Sequence, residues 1–151
     1  MSFFNKIKES LNTGRSELAT RVSKYKNRKF MEGTVAACAY VAMASGGVSA
    51  EEKQKMIGFI KNSPELNVFD TEQIIEVFNK LASNFEFDQD IGKGEAMKLI
   101  TRMRDESDAA QLMLRVAIAI GKSDGDFDAA EKASAKDICT ALNLSPTDYD
   151  L

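Results

Sequence analysis

The chain has 151 residues, of which 44% are hydrophobic and 28% charged, so one globular domain with a buried core is expected. Histidine is absent, which excludes Ser-His-Asp and Cys-His catalysis and the usual zinc sites, so any metal must be held by oxygen ligands. No apolar run approaches the roughly 20 residues that span a bilayer, and the N-terminus lacks a signal-peptide core. Cys38 and Cys139 lie in apolar helical patterns and provide no disulfide framework. A reducing cytoplasm is therefore the expected location.

The net charge of -3 is unevenly distributed along the chain. Residues 1–30 carry eight basic and two acidic side chains, a balance of +6, whereas the remaining residues have a balance of -9. The sequence thus joins a basic arm to an acidic body. An acidic body repels phosphates over most of its surface, so nucleic acid is not an expected partner.

Helical spacing of apolar residues accounts for most of the chain, and no segment alternates as a strand does. Over residues 3–30 an apolar stripe lies opposite lysine and arginine, with Gly14 weakening or splitting the helix. Residues 31–44 are small and apolar almost all round, which predicts a buried central helix. The predicted helices, in chain order, cover residues 3–30, 31–44, 49–60, 70–85, 95–104, 108–122 and 128–142. A short turn at Ser145-Pro146 follows, and residues 86–94 are expected to be a loop, or a loop with a frayed first turn of helix.

Three of these helices begin with the spacing of a helix cap or capping box. The pairs are Ser49 with Glu52, Asp70 with Gln73, and Asp128 with Glu131.

An internal repeat relates two parts of the chain at an offset of 79 residues. Residues 38–53 correspond to residues 117–132, and each copy has a small-residue helix, a glycine turn, one hydrophobic residue, a capping residue and a glutamate three positions later. The repeat predicts two helix–loop–helix halves related by a pseudo-two-fold axis. The expected fold is all-α, a compact bundle of about seven helices.

The two copies resemble the tellurite-resistance TerB family. The resemblance is carried by residues 39–52 (AYVAMASGGVSAEE) and 118–131 (IAIGKSDGDFDAAE), and it covers roughly residues 31–144. It implies an all-helical TerB-like domain at residues 31–151, which follows the basic amphipathic arm at residues 1–30. It also implies that the protein functions together with a membrane protein of the TerC type and with proteins of the TerD type.

The resemblance further implies a metal site made of carboxylates. Carried over by position, its ligands are Asp124, Asp126, Asp128 and Glu131 in the second copy, and Glu51 and Glu52 in the first. Such oxygen clusters suit calcium, magnesium or manganese. The first copy has Ser45 where the family pattern often has aspartate, so the second copy should carry more of the site.

Each feature also has a purely structural interpretation. The spacing is not that of an EF-hand, since Ala129 replaces the required glycine and Ala135 the bidentate glutamate. Asp128 and Glu131 could simply cap a helix, and Glu51 and Glu52 suit the first turn of one. Thiols reduce tellurium oxyanions, but Cys38 and Cys139 are expected in the core, where burial blocks access.

The basic arm is open to three interpretations: contact with an anionic membrane surface, contact with an acidic partner, or docking of a helix on its own bundle. The arm before Gly14 is expected to be available, with residues 22–30 docked. Together with the resemblance to the TerB family, the sequence predicts a non-enzymatic adaptor or sensor in tellurite resistance, cytoplasmic and peripheral at the inner membrane. The alternative is a small metal-dependent hydrolase or reductase that uses a carboxylate-bound metal.

Overall fold

The structure is a computed structural model, and every element that it describes is helical. It describes residues 17, 19–22, 25, 27–44, 50, 54, 57–58, 61–62, 66–122 and 127–151. The helices are α1 (Arg28–Met43), α2 (Thr71–Phe87), α3 (Gln89–Thr101), α4 (Ser107–Lys122) and α5 (Ala129–Leu142), followed by a 3-10 helix (Pro146–Tyr149). The predicted all-α class is confirmed.

Helix α1 is the centre of the bundle. It packs against α2, α3, α4 and α5, and all of residues 33–41 are buried. Its small residues allow the neighbouring helices to approach closely. A Cβ atom added at Gly33 would lie 2.9 Å from Sδ of Met113 on α4 and 3.3 Å from the carbonyl oxygen of Leu99 on α3. The prediction of a buried central helix is therefore confirmed.

Helix α1 begins at Arg28, three residues before the predicted start. The side chain of Asn27 accepts a hydrogen bond of 2.8 Å from the backbone N–H of Phe30 and so caps the helix. Both Val22 and Phe30 are 0% exposed and belong to the main core. Residues 1–16 lie outside the described residues, so the predicted helix at their positions stays a prediction.

The prediction of a loop over residues 86–94 is wrong. Helix α2 continues to Phe87 and α3 starts at Gln89, with Asp88 as the one residue between them. Asp88 ends one helix and caps the next, because its carboxylate accepts a 3.1 Å hydrogen bond from the N–H of Ile91. The two glycines at 92 and 94, which suggested a loop, lie inside α3.

Gly92 has a packing role at this junction. A Cβ atom there would lie 2.6 Å from Cα of Phe85 on α2, closer than real Cβ contacts come. Glycine therefore lets the first turn of α3 lie directly against the last turns of α2. The sequence showed a glycine, but only the fold shows why it is needed.

The predicted repeat is visible in the helix bounds. Helices α1 and α4 begin and end 79 residues apart, at Arg28 and Ser107 and at Met43 and Lys122. The described helical residues at 50, 54, 57–58 and 61 fall, at the same offset, inside α5. Two halves with matching helices thus share one core, as the repeat predicts.

Candidate functional site

The described part of the candidate metal site is a helix cap. The carboxylate of Asp128 accepts a hydrogen bond of 2.8 Å from the N–H of Glu131, and Oε1 of Glu131 accepts one of 3.4 Å from the N–H of Asp128. This reciprocal pair is the capping box that the spacing predicts, and it starts α5. The box uses one oxygen of each carboxylate, and a carboxylate has two. Capping and cation binding are therefore chemically compatible at Asp128.

Phe127, the residue before the N-cap Asp128, packs against the preceding helix. A Cβ atom added at Gly121 would lie 2.9 Å from Cε2 of the Phe127 ring and 3.6 Å from Cγ1 of Val41 on α1. The ring therefore lies on the last turn of α4, and Nζ of Lys122 is 5.9 Å from its centroid. The single hydrophobic residue of the repeat thus holds the start of α5 against the last turn of α4. Sequence reasoning identified Phe127 but missed Gly121, whose lack of a side chain makes room for the ring.

The other four predicted ligands, Asp124, Asp126, Glu51 and Glu52, lie outside the described residues. The structure brings Asp128 and Glu131 together and leaves the role of the remaining four as a prediction. Within the described part of the chain, no group of three or more histidine, cysteine, aspartate or glutamate side chains is arranged to hold a metal ion.

Comparison with known proteins gives one family over most of the chain. The family model described as "Tellurite resistance protein TerB" matches residues 31–151. The chain is also similar to a "Tellurium resistance protein TerB" from Alcaligenes sp, with 61% identity over 118 residues, which cover 78% of this chain and 97% of that protein. No solved structure matches the chain.

The chain belongs to the TerB family. The match covers most of the chain and confirms the resemblance that residues 39–52 and 118–131 predicted. Most of α1, all of α4 and the capping box of α5 lie inside the TerB match. No helix among the described residues is long and apolar enough to cross a membrane.

A second polar contact of the TerB domain links its two halves. The phenol of Tyr40 on α1 donates a hydrogen bond of 2.9 Å to Asp137 on α5. Tyr40 is 4% exposed, and burial, followed by the hydrogen bond and charge of Asp137, raises its pKa to about 12. Sequence reasoning missed this pair. The available signal was one large polar residue in an otherwise small-residue helix.

Both cysteines of the TerB domain lie in the core, as predicted. Cys38 is 2% exposed and Cys139 is 0% exposed, and neither forms a disulfide. Burial raises the pKa of the Cys139 thiol above its ordinary value. Burial blocks access to both thiols, so neither cysteine is placed to react with an oxyanion in the folded protein.

Proposed function

We propose that this TerB-family chain is a non-enzymatic adaptor or sensor in tellurite resistance, with a divalent cation held at its acidic turns. The observation that supports the proposal is the 79-residue correspondence of α1 and α4, together with the capping box that follows α4. Under this correspondence Ser49 matches Asp128, and Glu52 matches Glu131. Two acidic turns that follow equivalent helices would occupy equivalent places in the two halves.

The charge of these turns favours a cation over tellurite itself. Tellurite is an oxyanion, and residues 124–131 carry four acidic side chains and no basic one. Like charges repel, so direct binding of tellurite there is unfavourable. Calcium, magnesium or manganese would instead bind the carboxylate oxygens. We infer that the chain senses an ionic consequence of tellurite stress and transmits it by binding other proteins.

The cation is tested by titrating the full chain with calcium or manganese and following its amide resonances. We expect the first shifts near residues 124–131 and the next near residues 51–52. Asp124→Asn with Asp126→Asn should abolish the response and leave the helical content unchanged, because the helix cap is Asp128. A matched control, Asp105→Asn, neutralises an exposed aspartate in the turn after α3 and should respond like the wild type. Uniform weak shifts over all acidic residues would contradict a defined site.

The non-enzymatic part of the proposal rests on the absence of histidine and on the burial of both thiols. Carboxylates with a bound metal are the chemistry that remains for the hydrolase or reductase alternative. Turnover of ester, phosphoester or tellurite substrates in the presence of manganese, lost on chelation and in the Asp124→Asn, Asp126→Asn variant, would establish that alternative.

We further propose that the basic arm contacts an anionic membrane surface, with TerC-type and TerD-type proteins as partners. Val22 and Phe30 are buried in the core, so membrane contact falls to the residues that precede them. Sedimentation with phosphatidylserine vesicles tests this in the full chain. Lys6→Glu with Lys8→Glu should lower binding at least about tenfold, because each basic residue contributes roughly 1 kcal/mol at an anionic surface. Lys80→Glu with Lys136→Glu, at exposed positions of α2 and α5, is the matched control and should bind like the wild type.

A further inference from the structure

The junction of α2 and α3 carries two exposed hydrophobic side chains in a segment that is rich in exposed acidic residues. Among the described residues, the large hydrophobic side chains that are exposed are Phe87, at 82%, and Ile91, at 44%, and both lie at this junction. We call this surface the α2–α3 corner. Its exposed residues are Glu86, Phe87, Asp88, Asp90, Ile91 and Gly94.

Phe87 lies on the side of α2 opposite its core face, so the packing exposes this position but gives no reason for an aromatic side chain there. On α2 the buried residues are Ile74, Val77, Phe78, Leu81, Ala82 and Phe85, which form a continuous core face. Phe87 lies outside this face, at the last position of the helix. Exposed aromatic side chains are costly to leave in water and are typical of the anchors by which a protein binds a partner.

The negative charge of the α2–α3 corner indicates that its partner is basic. Residues 86–94 contain three acidic side chains and one basic one, and all three acids are exposed. The Asp88 carboxylate caps α3 and so is fixed in place next to Phe87. A segment that covers Phe87 and Ile91 must lie among these carboxylates, which favours lysine and arginine and repels acidic residues.

Gly94 is an independent indication that a partner approaches closely. It lies three residues after Ile91, on the same side of α3, and a Cβ atom there would meet nothing within 4 Å. Alanine would fit this helical position and would favour the helix more than glycine does. The packing of the described residues thus gives no reason for glycine at 94. A partner backbone lying against α3 beside Ile91 would give one.

We propose that the α2–α3 corner is a docking site for a short basic peptide segment with an apolar anchor, supplied by another protein. Two exposed hydrophobic residues form a surface too small for a stable dimer of this chain, which would bury about 800 Å² on each copy. A short segment of opposite charge is the occupant that fits this size and charge. The inference rests on the adaptor role proposed above and adds the chemistry of the partner.

The probe is a fluorescein-labelled 12-residue peptide with one phenylalanine and two leucines among lysines, and its control has glutamate in place of each lysine. Binding is measured by anisotropy with the full chain, and the contact surface by amide shifts of the labelled protein. We expect shifts centred on residues 86–94, binding that weakens as salt increases, and no binding of the glutamate peptide. Equal binding of both peptides, or shifts spread over the entire acidic surface, would overturn the proposal.

Variants of the full chain then locate the contact. Phe87→Ala removes an exposed side chain, so it should keep the fold and weaken binding at least about tenfold. Asp90→Asn should weaken binding about threefold, while Asp105→Asn, its matched control away from the corner, should have no effect. Gly94→Ala should raise the thermal stability and still weaken binding about threefold, a combination that a purely structural role does not produce. Unchanged binding in Phe87→Ala would contradict the proposal.

Two results would assign the corner to another occupant and also overturn the proposal. One is a shift of residues 3–16 caused by Phe87→Ala without peptide, which would place the chain's own arm on the corner. The other is a dimer that Phe87→Ala dissociates. The Asp124→Asn, Asp126→Asn variant separates this site from the cation site, since it should lose the metal response and bind the peptide normally. Absence of peptide binding by a wild-type chain that shows the metal response would reject the corner alone, and absence of both in the wild type would reject the adaptor role.

Discussion

The phenol of Tyr40 and the carboxylate of Asp137 are 97 residues apart in the chain and joined by a hydrogen bond of 2.9 Å. The contact ties the central helix α1 to α5, the helix that the Asp128–Glu131 capping box starts. It therefore fixes α5, which carries the described part of the candidate metal site, against the centre of the bundle.

Tyr40→Phe should lower the free energy of unfolding by about 1 kcal/mol, because it removes one hydrogen bond and leaves the ring in place. The folded-state pKa of Tyr40 is about 12, above its ordinary value of 10.0. The resulting stabilisation is complete below pH 10 and is lost as the pH rises to about 12. Denaturant unfolding at pH 8, 10 and 11.5 should show the difference between wild type and variant shrinking at high pH. Tyr25→Phe, at a ring stacked on Phe30, is the control, and a larger effect there would contradict the role of Tyr40.

Gly92 and Gly94 lie in the same helix, but alanine is expected to have opposite effects on stability at the two positions. Gly92→Ala places a Cβ atom 2.6 Å from Cα of Phe85 and must move the α2–α3 junction, which should destabilise the fold by roughly 1–3 kcal/mol. Gly94→Ala meets open space and should stabilise it by about 0.5–1 kcal/mol. Thermal unfolding followed by circular dichroism measures both. Similar effects of the two substitutions would show that the junction is not closely packed.

Helix capping by Asp128 and its proposed cation binding can be separated by substitution. Asp128→Ala should cost about 1 kcal/mol of stability, because it removes the N-cap of α5. Asp128→Ser should retain the cap, since serine is also a good N-cap and occupies the equivalent position 49 in the first copy. If Asp128 also binds a cation, Asp128→Ser should weaken the calcium or manganese response while stability is unchanged. A response equal to that of the wild type would restrict Asp128 to capping.

Thr34 is 0% exposed on α1, and its hydroxyl has no hydrogen-bond partner among the described residues. A buried hydroxyl without a partner is unfavourable, so Thr34→Val, which keeps the shape, should stabilise the protein by about 1 kcal/mol. The matched control is Thr101→Val, because the Thr101 hydroxyl donates a 2.7 Å hydrogen bond to the carbonyl oxygen of Met97. That variant should be neutral or less stable. A loss of stability in Thr34→Val would show that the hydroxyl is paired.

Local signals in the sequence predicted the helix starts that depend on local hydrogen bonds. Asp70 accepts from the N–H groups of Glu72 and Gln73, as the spacing of Asp70 and Gln73 predicts. Asp128 and Glu131 form their box for the same reason. The apolar stripe of residues 3–30 predicts a start at residue 31, but Asn27 is an equally local cap and α1 begins at Arg28.

The sequence by itself determined the all-α fold, the repeat and the family, because periodicity, capping and short motifs depend on neighbouring residues. Tertiary structure decided what depends on residues far apart or on close packing. Gly92 is compatible with a loop until Phe85 is placed against it, and Tyr40 has no evident partner until α5 reaches α1. Each of these depends on how one helix lies against another, and sequence spacing does not contain that information.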